Sequence, residues 1–381
     1  MVKNDRSALG VIFPNSYDNL VPQLARVRLM ASIPFASRYR MIDFQLSSMV
    51  NSGIENIAVA VNNNYHSLMD HLGSGREWDL VRKSGGLHIF PPFADGGSKI
   101  AHGRVELLAG ILGFLRAQTE KYVVMCDSNI AINFDYKALI DAHIETGADV
   151  TMVYAAQELP EVLSKDEESG GDMYYTMNVE EDGRISRMFI NLKKTGVHNL
   201  SLNMYVIERE KLIDMVNAAY VRGYPYFERD ILSPNLEKYK VYGYRYDGYK
   251  ALIADLKSYF DENMKLLNDE NLDGLFGSAP IYTKIRDDNP TRYIEGATVR
   301  NTMAADGCVI EGEVENSVLF RGVKIGKGAV VKNCVLMQDT VVEDGAQLEY
   351  VVTDKDALIT AGKSLKGEST YPTYIGKKQT V

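Results

Sequence analysis

The chain has 381 residues, of which 45% are hydrophobic and 24% are charged, which is typical of a globular protein with about two domains. Its net charge of −9 argues against binding to nucleic acid, because a phosphate backbone needs a basic face. Cys126, Cys308 and Cys334 lie far apart without CxxC spacing, so no disulfide framework or zinc site is predicted. No apolar run approaches the ~20 residues that a membrane span needs, and the first ten residues lack a signal core. We therefore expect a cytoplasmic protein with neither nucleic acid nor membrane as a partner.

Short apolar strands alternate with helical segments from residue 7 to about residue 268. Residues 56–61 and 122–126 are apolar almost throughout, as buried strands are, whereas residues 105–118 and 135–147 show helical spacing. This alternation predicts a mixed, mainly parallel sheet covered on both faces, in an α/β domain over residues 1–270. Residues 271–292 mix glycine, proline and charges without periodicity, and we interpret them as a linker.

Beyond the linker, apolar residues recur at every sixth position. One series comprises Leu319, Ile325, Val331 and Met337. A second series in the same frame comprises Val323, Ala329, Val335 and Val341. A left-handed parallel β-helix has this period, because each of its three sides takes one hexapeptide. Ordinary hairpins with glycine turns are the alternative, but two series in one frame favour a β-helix over residues 293–381.

Several segments carry a family resemblance. Residues 38–59, RYRMIDFQLSSMVNSGIENIAV, strongly resemble the segment after the nucleotide loop of glucose-1-phosphate adenylyltransferase, also called ADP-glucose pyrophosphorylase. Further matches, in the family's order, are NYHSLMDHL, EKYVVMCDSNIAINFDY, YFERDILSP and LKSYFDENMKLL. The chain is identified as a member of this family over almost its whole length. The resemblance implies a nucleotidyltransferase-like α/β domain followed by a left-handed β-helix.

Catalytic members of the family make ADP-glucose and pyrophosphate from ATP and glucose 1-phosphate with Mg²⁺, in bacterial glycogen synthesis. A glycine-rich loop must then bring backbone N–H groups against the triphosphate, and basic side chains must neutralise the phosphoryl group under attack. Carboxylates must hold the metal ion.

The nucleotide loop departs from the family's pattern. Catalytic members resemble Gly-Gly-x-Gly-x-Arg-Leu, whereas residues 15–21 read NSYDNLV. The loop therefore begins at Asn15, the basic residue becomes Leu20, and Asp18 is expected to repel phosphate. The lysine of the family's Lys-Pro-Ala falls on Met30, which cannot replace an ammonium group. These substitutions predict that the loop has lost its chemistry.

The metal site is reduced by the same comparison. Asp127 follows a predicted strand and matches the family's metal-binding aspartate, although an aspartate in that place is often only a turn or helix cap. The second family carboxylate falls on Leu252, and Asp255 lies three residues later. One carboxylate is a poor Mg²⁺ site, so we expect no bound metal or other cofactor, and Asp127 is interpreted as a relic.

The sugar-phosphate pocket is mixed. Asn203 replaces a family glycine, and HGRVELL, residues 102–108, stands where catalytic members have Gly-Thr-Ala-Asp-Ala. The family's Glu-Lys-Pro is replaced by residues 190–192. The residues that could still line a relic sugar pocket are Ser201, Asp230, Lys193 and Lys194.

The whole pattern resembles the GlgD-type subunits, which accompany a catalytic subunit in Gram-positive bacteria. The resemblance implies a regulatory partner in a hetero-oligomer, in this family a tetramer, and the same surfaces would also permit a homo-oligomer. Four arginines are candidates for binding a phosphate or sugar-phosphate effector, with a solvated basic stretch or intersubunit ion pairs as the alternative. They are Arg26, Arg28, Arg38 and Arg40.

Two other functions compete with a regulatory subunit. The first is a weakly active sugar-phosphate nucleotidyltransferase, favoured by Asp127, Ser201 and Asp230. The second is an acyltransferase, because hexapeptide β-helices often serve that chemistry with a histidine base. No histidine follows His198, which argues against it.

Overall fold

The computed structural model describes residues 6–91, 101–160, 163 and 173–381. Within these ranges the strands of the first domain are β1 (Ala8–Phe13), β2 (Pro34–Phe35), β3 (Tyr39–Arg40), β4 (Asn56–Ala60), β5 (Gly86–Phe90), β6 (Tyr122–Asp127), β7 (Ile130–Ile132), β8 (Val150–Glu158), β9 (Tyr175–Val179), β10 (Ile185–Ile190), β11 (Val197–Glu208), β12 (Val241–Arg245) and β13 (Lys250–Leu252). The α-helices are α1 (Pro22–Ala25), α2 (Met41–Asn51), α3 (His66–Leu72), α4 (Arg104–Gly110), α5 (Leu112–Ala117), α6 (Tyr136–Thr146), α7 (Arg209–Val221), α8 (Leu256–Lys265) and α9 (Asp269–Phe276).

A mixed sheet forms the centre of the first domain. Its strands follow the order β10-β9-β11-β6-β1-β4-β5, with β8 between β11 and β12. Strands β6, β1, β4 and β5 run parallel, whereas β11 runs antiparallel to β6 and β8. Helices α4, α5 and α7 cover one face, and α2, α3 and α6 cover the other. Burial on both faces explains why β4 and β6 are apolar almost throughout.

The parallel strands end together at one edge of this sheet. Phe13 at the end of β1 lies opposite Asp127 at the end of β6. Loops that leave the carboxyl ends of neighbouring parallel strands meet in space, which is where α/β folds collect their ligands. The loop over residues 15–21 and the aspartate at position 127 are brought together in this way.

The second domain is a parallel β-helix built from short strands. They are β14 (Arg292–Tyr293), β15 (Thr298–Ala304), β16 (Val309–Ile310), β17 (Glu313–Leu319), β18 (Lys324–Ile325), β19 (Val330–Lys332), β20 (Val335–Leu336), β21 (Val341–Val342), β22 (Gln347–Glu349), β23 (Val351–Thr353), β24 (Leu358–Ile359), β25 (Ser364–Lys366) and β26 (Thr373–Ile375). Lys324 pairs with Val341, which in turn pairs with Leu358, so each of these coils takes 17 residues. The β-helix prediction is confirmed.

The six-residue frame holds only within one coil. Leu319, Ile325 and Val331 point into the β-helix. Because a coil has 17 residues and three hexapeptides would need 18, the frame slips by one residue per coil. Met337 and Val335 consequently face outward and pack against the first domain. The β-helix was therefore predicted correctly, but the six-residue repeat does not mark inward-facing residues from one coil to the next.

The two domains share an apolar interface. Outward-facing Val318, Val335 and Val352 of the β-helix join Tyr259 and Phe260 of α8 in one cluster of buried side chains. Helix α9 covers Asp269–Phe276, so the segment interpreted as a linker begins inside a helix. Among the described residues, no helix combines the length and the apolar character required to cross a membrane.

Candidate functional site

A cavity of about 380 Å³ opens at the carboxyl edge of the sheet. Its wall combines the loop after β1 with residues at the ends of β4 and β6 and at the start of α4. Asparagine and tyrosine are the most frequent residue types in the described wall. The lining residues used below are Asn15, Tyr17, Asp18, Arg104, Asp127 and Glu228.

Tyr17 lies in this loop, between Ser16 and Asp18, which fall on the second and third glycines of the family motif. Its backbone is left-handed, with φ of 70°, a conformation that glycine adopts readily and tyrosine rarely. The ring is buried, and the hydroxyl donates to the carbonyl of Met173 at 2.7 Å and accepts from Nδ2 of Asn203 at 2.5 Å. Burial raises the pKa of Tyr17 well above its ordinary value, which keeps the hydroxyl neutral. A side chain thus occupies the loop's interior and ties it to β11.

The other polar groups of the loop also bond within the protein. Asn15 donates to Asp18 at 2.9 Å and accepts from the backbone N–H of Asn62 at 2.8 Å. Asp18 accepts from the backbone N–H of Met30 at 2.5 Å. Met30 itself is fully buried and Leu20 is half-buried among apolar side chains. The loop is stabilised by its own contacts, and its negative group faces the cavity.

Arg104 forms an ion pair with Asp127, the carboxylate that matches the metal-binding aspartate of the family. Its Nη2 donates to both oxygens of Asp127, at 2.8 and 2.9 Å, and its Nη1 contacts Glu228 in a second ion pair. Ser16 donates to Asp127 at 2.8 Å. The guanidinium carbon lies 4.9 Å from the ring centre of Phe13. Burial alone lowers the pKa of Arg104, but Asp127, Tyr205 and Tyr175 together raise it above its ordinary value, so the arginine stays charged.

The arrangement does not fit the Mg²⁺ ion of the catalytic family. Both oxygens of Asp127 already accept from Arg104. Leu252 pairs with Ile130 in the short ladder of β13 and β7, and Asp255 caps α8 by accepting from the N–H of Ser258 at 2.6 Å. The part of the chain that the structure describes contains no group of three His, Cys, Asp or Glu side chains suited to a metal ion.

The predicted sugar-pocket residues lie apart from the described wall of this cavity. Ser201 is buried and accepts from the backbone N–H of Asn203, whose φ of 53° lies in the left-handed region that favours glycine. Asp230 is held by the neighbouring Arg229 at 2.6 Å. Lys193 and Lys194 are exposed on the loop before β11.

The four candidate arginines separate into different environments. Arg28 is buried and forms an ion pair with Asp354 of the β-helix at 2.6 Å, so its charge is already balanced. Arg26 is exposed. Arg38 and Arg40 instead line a second cavity, of about 350 Å³, between the two domains. We call this cavity the interdomain pocket. Its basic residues are Arg38, Arg40, Lys284, Arg286, Arg321 and Lys355.

Basic side chains outnumber acidic ones in the described wall of the interdomain pocket, although Arg38, Lys284 and Arg286 each form an ion pair with an aspartate. Asp70 is the acidic residue of its described wall, against six basic ones. Arg321 is 7% exposed, and its Nε and Nη2 are buried without a hydrogen-bond partner among the described residues. Burial and the nearby Arg40 and Arg28 lower the pKa of Lys355 to about 7. Buried donors without acceptors are costly, and a bound oxyanion would satisfy them.

Sequence reasoning missed several of these residues. Arg104 lies within residues 102–108, and its direction depends on Gly103, where a Cβ would stand 2.2 Å from the carbonyl oxygen of Pro225. The glycine just before the helix is the available signal. Arg321 and Lys355 belong to different coils of the β-helix, and nothing in their spacing connects them to position 38.

Comparison with known proteins agrees with this architecture. A model described as nucleotidyl transferase matches residues 20–162, and a GlmU-like C-terminal hexapeptide model matches residues 285–369. The glycogen biosynthesis protein GlgD of Bacillus subtilis is 33% identical over 370 residues, covering 97% of this chain and 95% of the relative. GlgD of Geobacillus stearothermophilus is 39% identical over 326 residues, covering 85% and 82%.

A glucose-1-phosphate adenylyltransferase of Bacillus cereus is also similar, at 28% identity over 340 residues, covering 88% of this chain and 89% of the relative. Both GlgD proteins match at higher identity than this enzyme does. The chain therefore belongs to the GlgD family, a group related to glucose-1-phosphate adenylyltransferases.

Proposed function

We propose that this protein is a catalytically impaired, regulatory subunit of glucose-1-phosphate adenylyltransferase in glycogen biosynthesis. The observation that carries the proposal is the loop over residues 15–21, in which Asn15, Ser16 and Asp18 replace the three family glycines and line the cavity. A triphosphate would meet a buried ring and the carboxylate of Asp18 instead of free N–H groups. The partner is a catalytic homologue, in a hetero-oligomer that we expect to be a tetramer.

Regulation would act through the interdomain pocket. Arginine forks suit phosphate groups, and Arg321 offers two buried N–H donors. A phosphate or sugar-phosphate anion bound there would bridge both domains, and so would favour one arrangement of the domains over another. An effector that stabilises one arrangement of this subunit changes the catalytic partner to the extent that the partner's contacts differ between arrangements.

The deciding experiment measures ADP-glucose synthesis by this protein alone, by its catalytic homologue alone and by the two co-expressed. We expect no measurable turnover from this protein alone, and a raised or effector-shifted rate from the co-expressed pair. Robust synthesis by the isolated chain, abolished by Asp127→Asn, would establish the weakly active transferase instead. An unchanged rate and failure to co-purify would exclude a regulatory partnership.

A further inference from the structure

The contacts of Arg104 resemble those of a bound metal ion more than those of an ordinary ion pair. One guanidinium contacts two buried carboxylates, Asp127 from β6 and Glu228 from the turn after α7, and these come from segments about 100 residues apart. Side-chain exposure is 10% for Arg104, 2% for Asp127 and 4% for Glu228. Such carboxylates cannot remain charged together without a compensating cation, because burial penalises each charge and the two repel.

We propose that Arg104 is a built-in cation that takes the place of a divalent metal ion, and that Asp127 and Glu228 become a divalent-cation site once its charge is removed. This inference rests on the proposed function, because it assumes that catalytic relatives bind a metal ion where this chain has Arg104. Carboxylate oxygens are the ligands that Mg²⁺ and Mn²⁺ prefer, and Mg²⁺ sites commonly combine one or two carboxylates with water. The adjoining 380 Å³ cavity has room for that water.

The position of Arg104 is fixed by its surroundings, so the cation is permanent. Its guanidinium carbon lies 4.9 Å from the ring centre of Phe13 and 5.1 Å from that of Tyr205. The preceding Gly103 cannot accept a Cβ, because Pro225 approaches too closely. With its one charge Arg104 leaves the trio at a net charge of −1, and Asp18 adds a further negative group to the same wall. The remaining negative charge disfavours polyphosphates, and a divalent cation is excluded because Arg104 already occupies the carboxylates of Asp127 and Glu228.

Mn²⁺ binding to the full chain tests the inference without any assay of activity. The free Mn²⁺ signal in electron paramagnetic resonance is titrated with wild type, Arg104→Gln and Arg104→Lys. We expect Arg104→Gln to bind one Mn²⁺ per chain at least tenfold more tightly than wild type. Addition of Mn²⁺ should also raise the melting temperature of this variant. Arg104→Lys retains the charge and should behave as wild type. The double variant Arg104→Gln, Asp127→Asn should lose the new site.

Two outcomes would overturn the inference. One is Mn²⁺ binding by wild type that disappears in Asp127→Asn, and the other is folded Arg104→Gln that binds no Mn²⁺. If Arg104→Gln folds poorly, its refolding is compared with and without Mn²⁺, and the absence of any rescue counts against the site. These readouts are independent of ADP-glucose synthesis, so a failure here is distinguishable from a failure of the regulatory proposal.

Discussion

The ion pair of Arg28 and Asp354 connects the two domains at the level of single side chains. The distance is 2.6 Å, and the side chains are 3% and 1% exposed. Tyr374 also donates to Asp354, at 3.0 Å. A buried charge that loses its partner retains its full desolvation cost, whereas an exposed pair is screened by water.

Arg28→Ala should therefore destabilise the protein substantially. We expect the free energy of unfolding to fall by about 3 kcal/mol, because the buried carboxylate of Asp354 loses the positive charge that balances it. Thermal unfolding followed by circular dichroism measures the change in melting temperature. Arg245→Ala is the matched control, since Arg245 and Asp247 form an exposed pair, and it should leave the melting temperature unchanged. Equal effects from both substitutions would contradict this account.

Lys355 makes the interdomain pocket sensitive to pH. Its pKa of about 7 lies below the ordinary lysine value, so the side chain is mostly neutral at pH 8 and mostly charged at pH 6. Sulfate retains its charge over this range, and its affinity should rise roughly tenfold from pH 8 to pH 6, which is about 1.4 kcal/mol. Calorimetric titration measures this. Affinity in Lys355→Met should be weak and nearly constant, and a pH dependence surviving in that variant would refute the assignment.

At the level of secondary-structure elements, the sequence pattern predicted the β-helix but not which residues of each coil face outward. Apolar periodicity identified the fold because one coil repeats inward positions at nearly regular intervals. The slip that turns Met337 outward could not be predicted, because a 17-residue coil differs from three hexapeptides by a single residue. Helix α9 was missed for another reason: its glycine at position 274 and short length resemble a linker.

Close stacking of the coils makes some glycines indispensable. A Cβ at Gly312 would lie 2.3 Å from the carbonyl oxygen of Ala329, in the next coil. Gly312→Ala should therefore separate the two coils and cost about 2 kcal/mol, as overpacking does. Gly113→Ala is the control, because Gly113 lies in α5 with nothing within 4 Å of the added carbon, and it should be neutral or stabilising. Melting temperatures of both variants decide the point.

For the whole molecule, single site residues could be predicted from the sequence, but the contacts between distant segments that form each site could not. Asp127 lies at the end of its strand, where the alternation of strands and helices placed it. The pairing of Asp127 with Arg104 depends on how α4 enters the sheet edge, and the interdomain pocket depends on docking of two domains. Arg38 and Arg321 are nearly 300 residues apart, and only the packed interface joins them.

We expect the response to an effector to depend on the arginines that line the interdomain pocket, and not on Arg26, which lies earlier in the chain and outside the described wall. In the co-expressed pair, Arg38→Gln should raise the effector concentration for half-maximal response several-fold, because Arg38 lines the pocket. Arg26→Gln removes an exposed arginine that lies outside the described wall of the pocket, and should leave the response unchanged. Rate measurements against sugar-phosphate concentration distinguish the two. Identical curves for both variants would separate regulation from this pocket.

The hydrogen bonds of Tyr17 also constrain how this lineage can evolve. Its ring fills the loop and its hydroxyl connects Met173 with Asn203. Replacing Tyr17 with glycine would leave a cavity and remove a partner of Asn203, with no catalytic gain while Leu20, Met30 and Leu252 remain. A lysine at the fully buried position 30 would likewise cost stability, because it would bury an unpaired charge. Under the proposed function, the loss of catalysis would therefore be difficult to reverse by successive single substitutions.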